Sequence, residues 1–204
     1  MYKHLIASVI DINRTFEKLS EIGVTSLKIL DANSIMALLE EARNYTYRPL
    51  PEIVGRGENV VKQQVGRFID FSEDSKFMLL KNSFQVWLGE HLKRLDEYPF
   101  EIALDLNSLE LLKYEAGSIG ITPHRDNFRY KNLICVFIIG GRGKFYTCSD
   151  RSGIDAQEID TSPGNVILMK APGFLYQKER PFHFVTDIQE TRYVFGLRQE
   201  VLGD

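Results

Sequence analysis

The sequence has little of what marks a secreted or membrane-embedded protein. It contains only two cysteines, Cys135 and Cys148, in 204 residues, with neither a multi-cysteine framework nor a paired CxxC zinc motif. We interpret both as reduced thiols that pack as small apolar side chains. No segment is long and apolar enough to span a bilayer, so no membrane partner is expected.

The amino terminus also lacks a secretory signal. Its short apolar patch in MYKHLIASVIDINRTFEKL is followed by no small-residue cleavage site, which predicts a cytoplasmic location. The net charge of −3 gives no overall electrostatic reason to expect a polyanionic partner. Internal repeats and low-complexity tracts are absent as well.

The chain is large enough, and apolar enough at 44% hydrophobic residues, to bury one sizeable core. We predict a single domain over residues 1–204. Its pattern changes near the middle, from helical periodicity over about residues 1–107 to short strands over about residues 108–200. This order predicts an α+β protein.

Two segments of the first half predict helices. In Asp31–Tyr45 a capping aspartate precedes apolar residues at helical spacing, and Phe77–Leu95 repeats the pattern with basic residues near its end. His4 and His91 have no neighbouring ligand pattern, so we interpret them as surface or packing residues.

Between these helices, Arg48–Phe71 mixes proline, glycine and basic residues without one clear period. Such a segment is typical of a long functional loop or of irregular strands. A lid over a substrate and a plain connecting loop are both consistent with it. Phe145–Asp160 is the other segment that could shape a substrate site.

From Ser108 onward, apolar and polar residues alternate in short runs separated by Gly, Pro, Asp and Ser. Strands at this spacing predict a sandwich or jelly roll. The runs are LELLKYEAG, NLICVFIIGG, GKFYTCSD, GNVILMKAPG, PFHFVTD and RYVFGLRQEV.

We interpret the motif His124-Arg125-Asp126, which lies between the first two of these runs, as an extended segment. Alternate side chains of a strand share a face, so the imidazole and the carboxylate can point inward together while Arg125 points away. His183 supplies a second imidazole from a distant strand. Two histidines and one carboxylate can occupy one face of an octahedral iron(II), whereas the HxD motif alone is also compatible with a turn and a local ion pair.

Two arginines follow His183 on a strand with two contrasting faces. Arg192 and Arg198 share one face, and the intervening small Gly196 would leave space for a ligand. A guanidinium in an apolar barrel needs an anionic partner, which the distal carboxylate of 2-oxoglutarate would provide. The alternative is that both arginines form structural salt bridges. The other face is apolar, with Tyr193, Phe195 and Leu197.

As an ordered set, HxD, a distal histidine and RYVFGLRQ resemble the AlkB-like and wider 2-oxoglutarate/Fe(II) dioxygenase superfamily. The resemblance covers Leu111–Gln199 and implies a double-stranded β-helix, or jelly-roll, core flanked by the N-terminal helices. It implies that iron(II) is held by His124, Asp126 and His183.

The same resemblance implies where the co-substrate binds. Arg192 matches the residue that pairs with the distal carboxylate of 2-oxoglutarate, and Tyr114 matches a tyrosine that hydrogen-bonds the same end. Arg198 matches a second arginine, nearer the metal. For Tyr114, packing on its strand is an equally good interpretation.

Two positions depart from the nucleic-acid demethylases of the AlkB type. Leu112 stands where an asparagine is expected, and Phe128 stands where an acidic residue associated with the substrate base is expected. These departures argue against nucleobase repair. The substrate-binding residues are otherwise not identified by the sequence, and Arg125 and Phe128 are the candidates for this contact.

Three hypotheses follow for the function. The first is a dioxygenase that uses dioxygen and 2-oxoglutarate to hydroxylate a small molecule or an amino-acid or peptide side chain, with release of succinate and carbon dioxide. The second is a nucleic-acid demethylase, and the third is a non-catalytic jelly-roll binding module. Basic residues that could contact phosphates in the second are Arg56, Lys62, Arg67, Arg125, Arg129 and Lys131.

Overall fold

Three helices lie in the first half of the chain within residues 10–201, which the computed structural model describes. They are α1 (Ile12–Ile22), α2 (Ala32–Arg43) and α3 (Lys76–Leu92). The first helix was not predicted individually, and His4 lies outside the described residues.

The strands form one large antiparallel sheet and a separate hairpin of two short strands. The large sheet has the order β1-β10-β8-β11-β6-β5-β2, with β7 also paired to β11 and β9 to β8, and β3 pairs with β4. This is an α+β protein with an antiparallel sheet, as predicted. The strands are β1 (Val24–Lys28), β2 (Arg48–Pro49), β3 (Ile53–Val54), β4 (Val61–Lys62), β5 (Gly66–Phe68), β6 (Ser108–Tyr114), β7 (Ile121–His124), β8 (Tyr130–Cys148), β9 (Gln157–Ile159), β10 (Asn165–Lys170) and β11 (Phe182–Glu200).

Side-chain caps explain where the two predicted helices begin. Asp31 accepts a hydrogen bond from the backbone N–H of Ser34 at 2.7 Å, and Ser75 accepts one from Met78 at 3.1 Å. Such caps satisfy amide groups that have no partner within the helix. Both helices are therefore confirmed, with ends one to three residues from those predicted.

Arg48–Phe71 is made of short strands rather than one open loop. It contains β2 to β5 and a single 3-10 turn at Gly57–Asn59. Two of these strands, β2 and β5, extend the large sheet at one edge. The irregular-strand interpretation of this segment is thus confirmed.

The two longest strands, β8 and β11, were each predicted as two shorter ones. Each instead runs for 19 residues without a break. Their pairing register shifts between Thr186 and Glu190 and again near Tyr193, where Gly141 (φ 81°) and Asp187 (φ 52°) adopt left-handed backbone conformations. The turn residues therefore make bulges within continuous strands rather than ending them.

The main core lies between the helices and one face of the sheet. Phe77 and Phe84 of α3 pack against Phe195 and Phe137, each pair with ring centroids 4.9 Å apart. Aromatic contacts of this kind contribute about 0.5–1.5 kcal/mol beyond the area they bury. Tyr193, Phe195 and Leu197 of β11 all belong to this core, which confirms the apolar face predicted for that strand.

His91, in the last turn of α3, packs on Trp87. Its ring lies 4.3 Å from that of Trp87, and its Nδ1 lies 2.8 Å from the backbone oxygen of Trp87. It is a packing residue, as predicted.

Among residues 10–201, no helix combines the length and apolarity needed to cross a membrane.

Candidate metal and co-substrate site

A cavity of about 190 Å³ lies on the face of the sheet opposite the helices. It is smaller than the roughly 300–1,000 Å³ typical of sites for drug-sized ligands, which suits a small acid. We call it the co-substrate cavity. It brings together all six residues predicted to bind the metal or 2-oxoglutarate, namely His124, Asp126, His183, Arg192, Arg198 and Tyr114.

Strand pairing places the three candidate metal ligands next to one another. His124 at the end of β7 lies directly opposite His183 of β11, so the two imidazoles share a face, with ring centroids 4.3 Å apart. Asp126 follows two residues later, with its Oδ2 3.6 Å from Nε2 of His183. One ligand atom from each residue lies within 4.8 Å of the other two.

Both imidazoles are oriented by backbone oxygens. The Nδ1 of His124 lies 2.9 Å from the carbonyl oxygen of Thr122, and that of His183 lies 3.3 Å from the carbonyl oxygen of Pro181. Because a carbonyl only accepts, each Nδ1 carries the hydrogen, which leaves each Nε2 free for a metal. Metal-bound histidines usually make this second contact.

The protonation states also suit a metal site. Burial, and then the nearby His183, lower the pKa of His124 to about 4, so this imidazole is neutral at pH 7. Burial alone would raise the pKa of Asp126, but its electrostatic interactions with His183 and Arg198 outweigh this effect and lower the pKa. A neutral histidine and an ionised aspartate are the forms that bind metals.

Arg192 is the most unusual residue of the cavity, because it is charged, 2% exposed and has no carboxylate partner within the described residues. Its Nη1 donates to the backbone oxygen of Gly143 and contacts Oγ1 of Thr161 at 3.4 Å. Its Nε is buried without a hydrogen-bond partner. Burial lowers its pKa to about 10, which still leaves the guanidinium charged at pH 7.

Arg198, by contrast, already has an acidic partner. Its Nη1 lies 2.6 Å from a carboxylate oxygen of Glu110, and both side chains are largely buried. The guanidinium folds back over Gly196, where an added Cβ would lie 3.0 Å from Nη1. The space that Gly196 was expected to leave for a ligand is therefore taken by Arg198.

Tyr114 lies directly opposite Arg192 in the pairing of β6 and β11. It is 4% exposed, and burial raises the pKa of its hydroxyl to about 12, so the hydroxyl stays protonated and able to donate. Packing and ligand contact are both compatible with this position.

Glu110 is a charged cavity residue that the sequence analysis missed. In LELLKY it alternates with Leu112 and Tyr114 on the face of β6 that lines the cavity. An acid on the inward face of an otherwise apolar strand was the available signal. Thr161 was missed as well, and it carries no comparable signal because it lies outside the strands.

Arg125 and Phe128, the candidates for substrate contact, do not line the co-substrate cavity. Both line a separate open pocket of about 760 Å³ beside the metal ligands. Arg125 lines this pocket, whereas its two neighbours in the HxD motif line the co-substrate cavity, although β7 ends at His124 and Arg125 lies beyond it.

Comparison with known proteins finds similarity in structure but not in sequence. No family model and no curated protein matches the chain. A prolyl hydroxylase from Trichoplax adhaerens, in complex with a peptide fragment of the oxygen degradation domain of hypoxia inducible factor, superimposes with a TM-score of 0.68 at 14% identity, covering 92% of this chain and 88% of that chain.

Two further solved structures are similar over most of their length. An oxidoreductase of the 2OG-Fe(II) oxygenase family from Burkholderia pseudomallei has a TM-score of 0.64 at 14% identity, covering 94% and 91% of the two chains. The protein OsALKBH1 has a TM-score of 0.57 at 12% identity, covering 87% and 98%. The chain thus shares its fold with 2-oxoglutarate/Fe(II) oxygenases, in agreement with the resemblance seen in its motifs.

Proposed function

We propose that this chain is an iron(II)- and 2-oxoglutarate-dependent dioxygenase that hydroxylates a small molecule or an amino-acid or peptide side chain, with release of succinate and carbon dioxide. Residues 1–204 would form one dioxygenase domain whose large sheet is a double-stranded β-helix. The observation that carries the proposal is the buried Arg192, without a carboxylate partner among the described residues, in the same small cavity as the His-Asp-His cluster.

The energetics of burial favour an anion beside Arg192. A charge taken out of water without a partner costs several kcal/mol. A bidentate carboxylate would pair with the charge of Arg192 and accept a hydrogen bond from its unpaired Nε. The ligand must also be small, because the cavity is. A dicarboxylic acid that binds the metal at one end and Arg192 at the other fits both requirements.

Each residue then has a defined task. His124, Asp126 and His183 would hold iron(II), which when bound supplies the oxidising chemistry with dioxygen. Arg192 would fix the distal carboxylate, and Tyr114 would donate a hydrogen bond to the same end. Val65, Val185 and Val194 supply apolar walls to the cavity.

The peptide complex of the Trichoplax prolyl hydroxylase supports a peptide as one class of substrate. The charge distribution gives less support to a nucleic acid. Of the basic residues considered for phosphate contacts, Arg125 lines the pocket beside the metal ligands, whereas Arg67 and Arg129 line a different one. Arg129 is also paired with Glu200 at 3.3 Å. Within residues 10–201, the basic residues considered for phosphate contacts are therefore not gathered in one pocket beside the metal ligands.

Metal binding and turnover test this proposal together. We expect the wild-type protein to retain iron(II) after anaerobic dialysis and to release succinate from 2-oxoglutarate. Asp126→Ala should lose both properties, because two imidazoles alone hold iron(II) weakly. The measurements are iron content and succinate formation, with circular dichroism to verify folding.

His91→Ala is the matched control, because it removes a histidine that packs on Trp87 far along the chain from the cluster. It should keep its iron and its turnover. A wild-type protein that binds no iron and forms no succinate would contradict the proposal and leave the non-catalytic binding module as the better reading.

A further inference from the structure

The open pocket of about 760 Å³ touches the neighbours of all three candidate metal ligands. Arg125 lies between His124 and Asp126 in the chain, Phe182 precedes His183, and Thr147 lies opposite His183 in the pairing of β8 and β11. We call this the arginine pocket, after Arg125 and Arg180 in its wall. A molecule bound there would lie beside the metal ligands.

The two arginines are held on aromatic rings. The guanidinium of Arg180 lies 3.5 Å from the ring centroid of Phe128, and that of Arg125 lies 4.0 Å from the ring centroid of Phe182. Arg180 also donates from Nη1 to the backbone oxygen of Asp126 at 2.5 Å. Stacking fixes the planes of both groups and leaves N–H donors along their edges available.

Neither arginine has a carboxylate within 4.0 Å among residues 10–201. Both guanidinium groups belong to the lining of the same pocket. Two like charges held close together on rigid supports form a site that an anion would stabilise.

The acids in the same pocket are mostly engaged elsewhere. Glu179 lies 2.5 Å from Nζ of Lys170, which together with the more distant Arg125 lowers its pKa. Asp155 accepts a hydrogen bond from Ser149 at 2.9 Å. Glu21, on α1, is the third acid of the lining. Together these three acids would repel an extended polyanion.

We infer that Arg125 and Arg180 bind a carboxylate of the substrate, so that this chain acts on an acidic molecule. The inference rests on the proposed oxygenase function of the neighbouring site. It gives Arg125 a role in specificity and explains why Phe128, which is 52% exposed, lies at the edge of the pocket: it supports Arg180.

Binding to matched probes tests the inference. The full chain, loaded anaerobically with iron(II) and 2-oxoglutarate, is titrated against two pools of fluorescein-labelled peptides with blocked termini. Each member of one pool contains one Asp or Glu, and the other pool has Asn or Gln instead. Free glutamate and glutamine, titrated calorimetrically, separate a small acid from an acidic peptide, and a single-stranded oligonucleotide tests the polyanion.

We expect the acidic pool, or glutamate, to bind about 10- to 100-fold more tightly than its amide counterpart, the range that a charge-assisted hydrogen bond supplies. Arg125→Gln and Arg180→Gln should each remove most of this preference. Arg180→Lys keeps a donor for the Asp126 oxygen and should recover part of it. Arg94→Gln, an exposed arginine outside the pocket, is the control and should change nothing.

Equal binding of acidic and amide probes, no binding of any probe, or tightest binding of the oligonucleotide would each overturn the inference. Iron content and 2-oxoglutarate binding are measured on the same samples. If these are normal while the preference for acids is absent, the inference fails and the proposed function stands. If they are absent while the preference remains, the proposed function fails and the arginine site stands.

Discussion

At the scale of single residues, the contrast between Arg192 and Arg198 is the most informative feature of the cavity. Both are buried and charged and lie on the same strand face. Among residues 10–201, only Arg198 of the two has an acidic partner, Glu110, whereas Arg192 contacts a backbone oxygen and a hydroxyl. A buried arginine that lacks a protein carboxylate is the one suited to hold a ligand carboxylate.

Arg192→Ala should therefore raise the 2-oxoglutarate concentration needed for binding by about 100-fold, the upper end of what a hydrogen bond to a charged group contributes. Calorimetric titration of the iron-loaded protein measures this. Arg198→Ala should change 2-oxoglutarate affinity much less, but should destabilise folding by about 3 kcal/mol, because it leaves Glu110 buried and unpaired.

Urea unfolding measures the second effect, and the double variant Arg198→Ala with Glu110→Gln is its control. The double variant should recover part of the lost stability, since no charge is then left unpaired. Equal, small effects of Arg192→Ala and Arg198→Ala on 2-oxoglutarate affinity would remove the assignment of Arg192.

The two arginines also show what the sequence could and could not reveal at this scale. Alternation along RYVFGLRQ was enough to place both on one face. It could not distinguish their partners, because Glu110 lies 88 positions earlier in the chain and meets Arg198 only through the pairing of β6 with β11. Alternation along a strand predicts which face of the sheet a side chain points to. Which side chain it meets on the neighbouring strand depends on the register of the strand pairing.

At the scale of secondary-structure elements, the structure differs from the prediction at the bulges of β8 and β11, which are continuous strands and not two strands each. Glycines at positions 140, 141 and 143 and the Asp187 region were interpreted as turns, since such residues favour turns wherever they occur. Their neighbours on both sides pair with the same partner strand, so the chain continues instead of reversing. The helices were easier to predict, because caps and apolar spacing are local signals.

Gly141→Ala tests the importance of the bulge. Gly141 has φ 81°, and an added Cβ would lie 2.1 Å from the backbone oxygen of Thr191, the residue before Arg192. We expect a loss of about 2 kcal/mol or more in unfolding free energy and weaker binding of 2-oxoglutarate, because the backbone beside Arg192 must move. Urea unfolding and calorimetric titration measure the two effects.

Gly89→Ala is the matched control, because Gly89 lies within α3 and an added Cβ would meet nothing within 4 Å. It should leave stability unchanged or raise it by up to about 1 kcal/mol. If both alanine variants have the same stability, the bulge is not a constraint on the fold.

At the scale of the whole molecule, helices cover one face of the sheet and the cavity occupies the other. Cys135 lies within the main core, at 0% exposure, between β10 and β11, whereas Cys148 lies at the end of β8 and is half-buried. The two thiols therefore report on different events. Cys148 can react after local motion, but Cys135 becomes accessible only when the sheet separates from the helices.

Alkylation with iodoacetamide should consequently modify Cys135 more than about 1,000-fold more slowly than Cys148, since global unfolding costs at least about 5 kcal/mol. Burial also raises the pKa of both thiols, more for Cys135, and this slows the reaction further. Mass spectrometry of Cys135→Ser and Cys148→Ser measures each thiol alone. Comparable rates would mean that the core opens without global unfolding.

The register shifts in β11 have a consequence for the evolution of the site. His183 and Arg192 are separated by nine positions, an odd number, so an unbroken strand would send them to opposite faces, yet both line the co-substrate cavity. The bulges between them shift the register, and this returns Arg192 to the same face as His183. Loss of one residue in that interval would exchange the arginine for a neighbour from the apolar core, so this stretch must keep its length even where its side chains can vary.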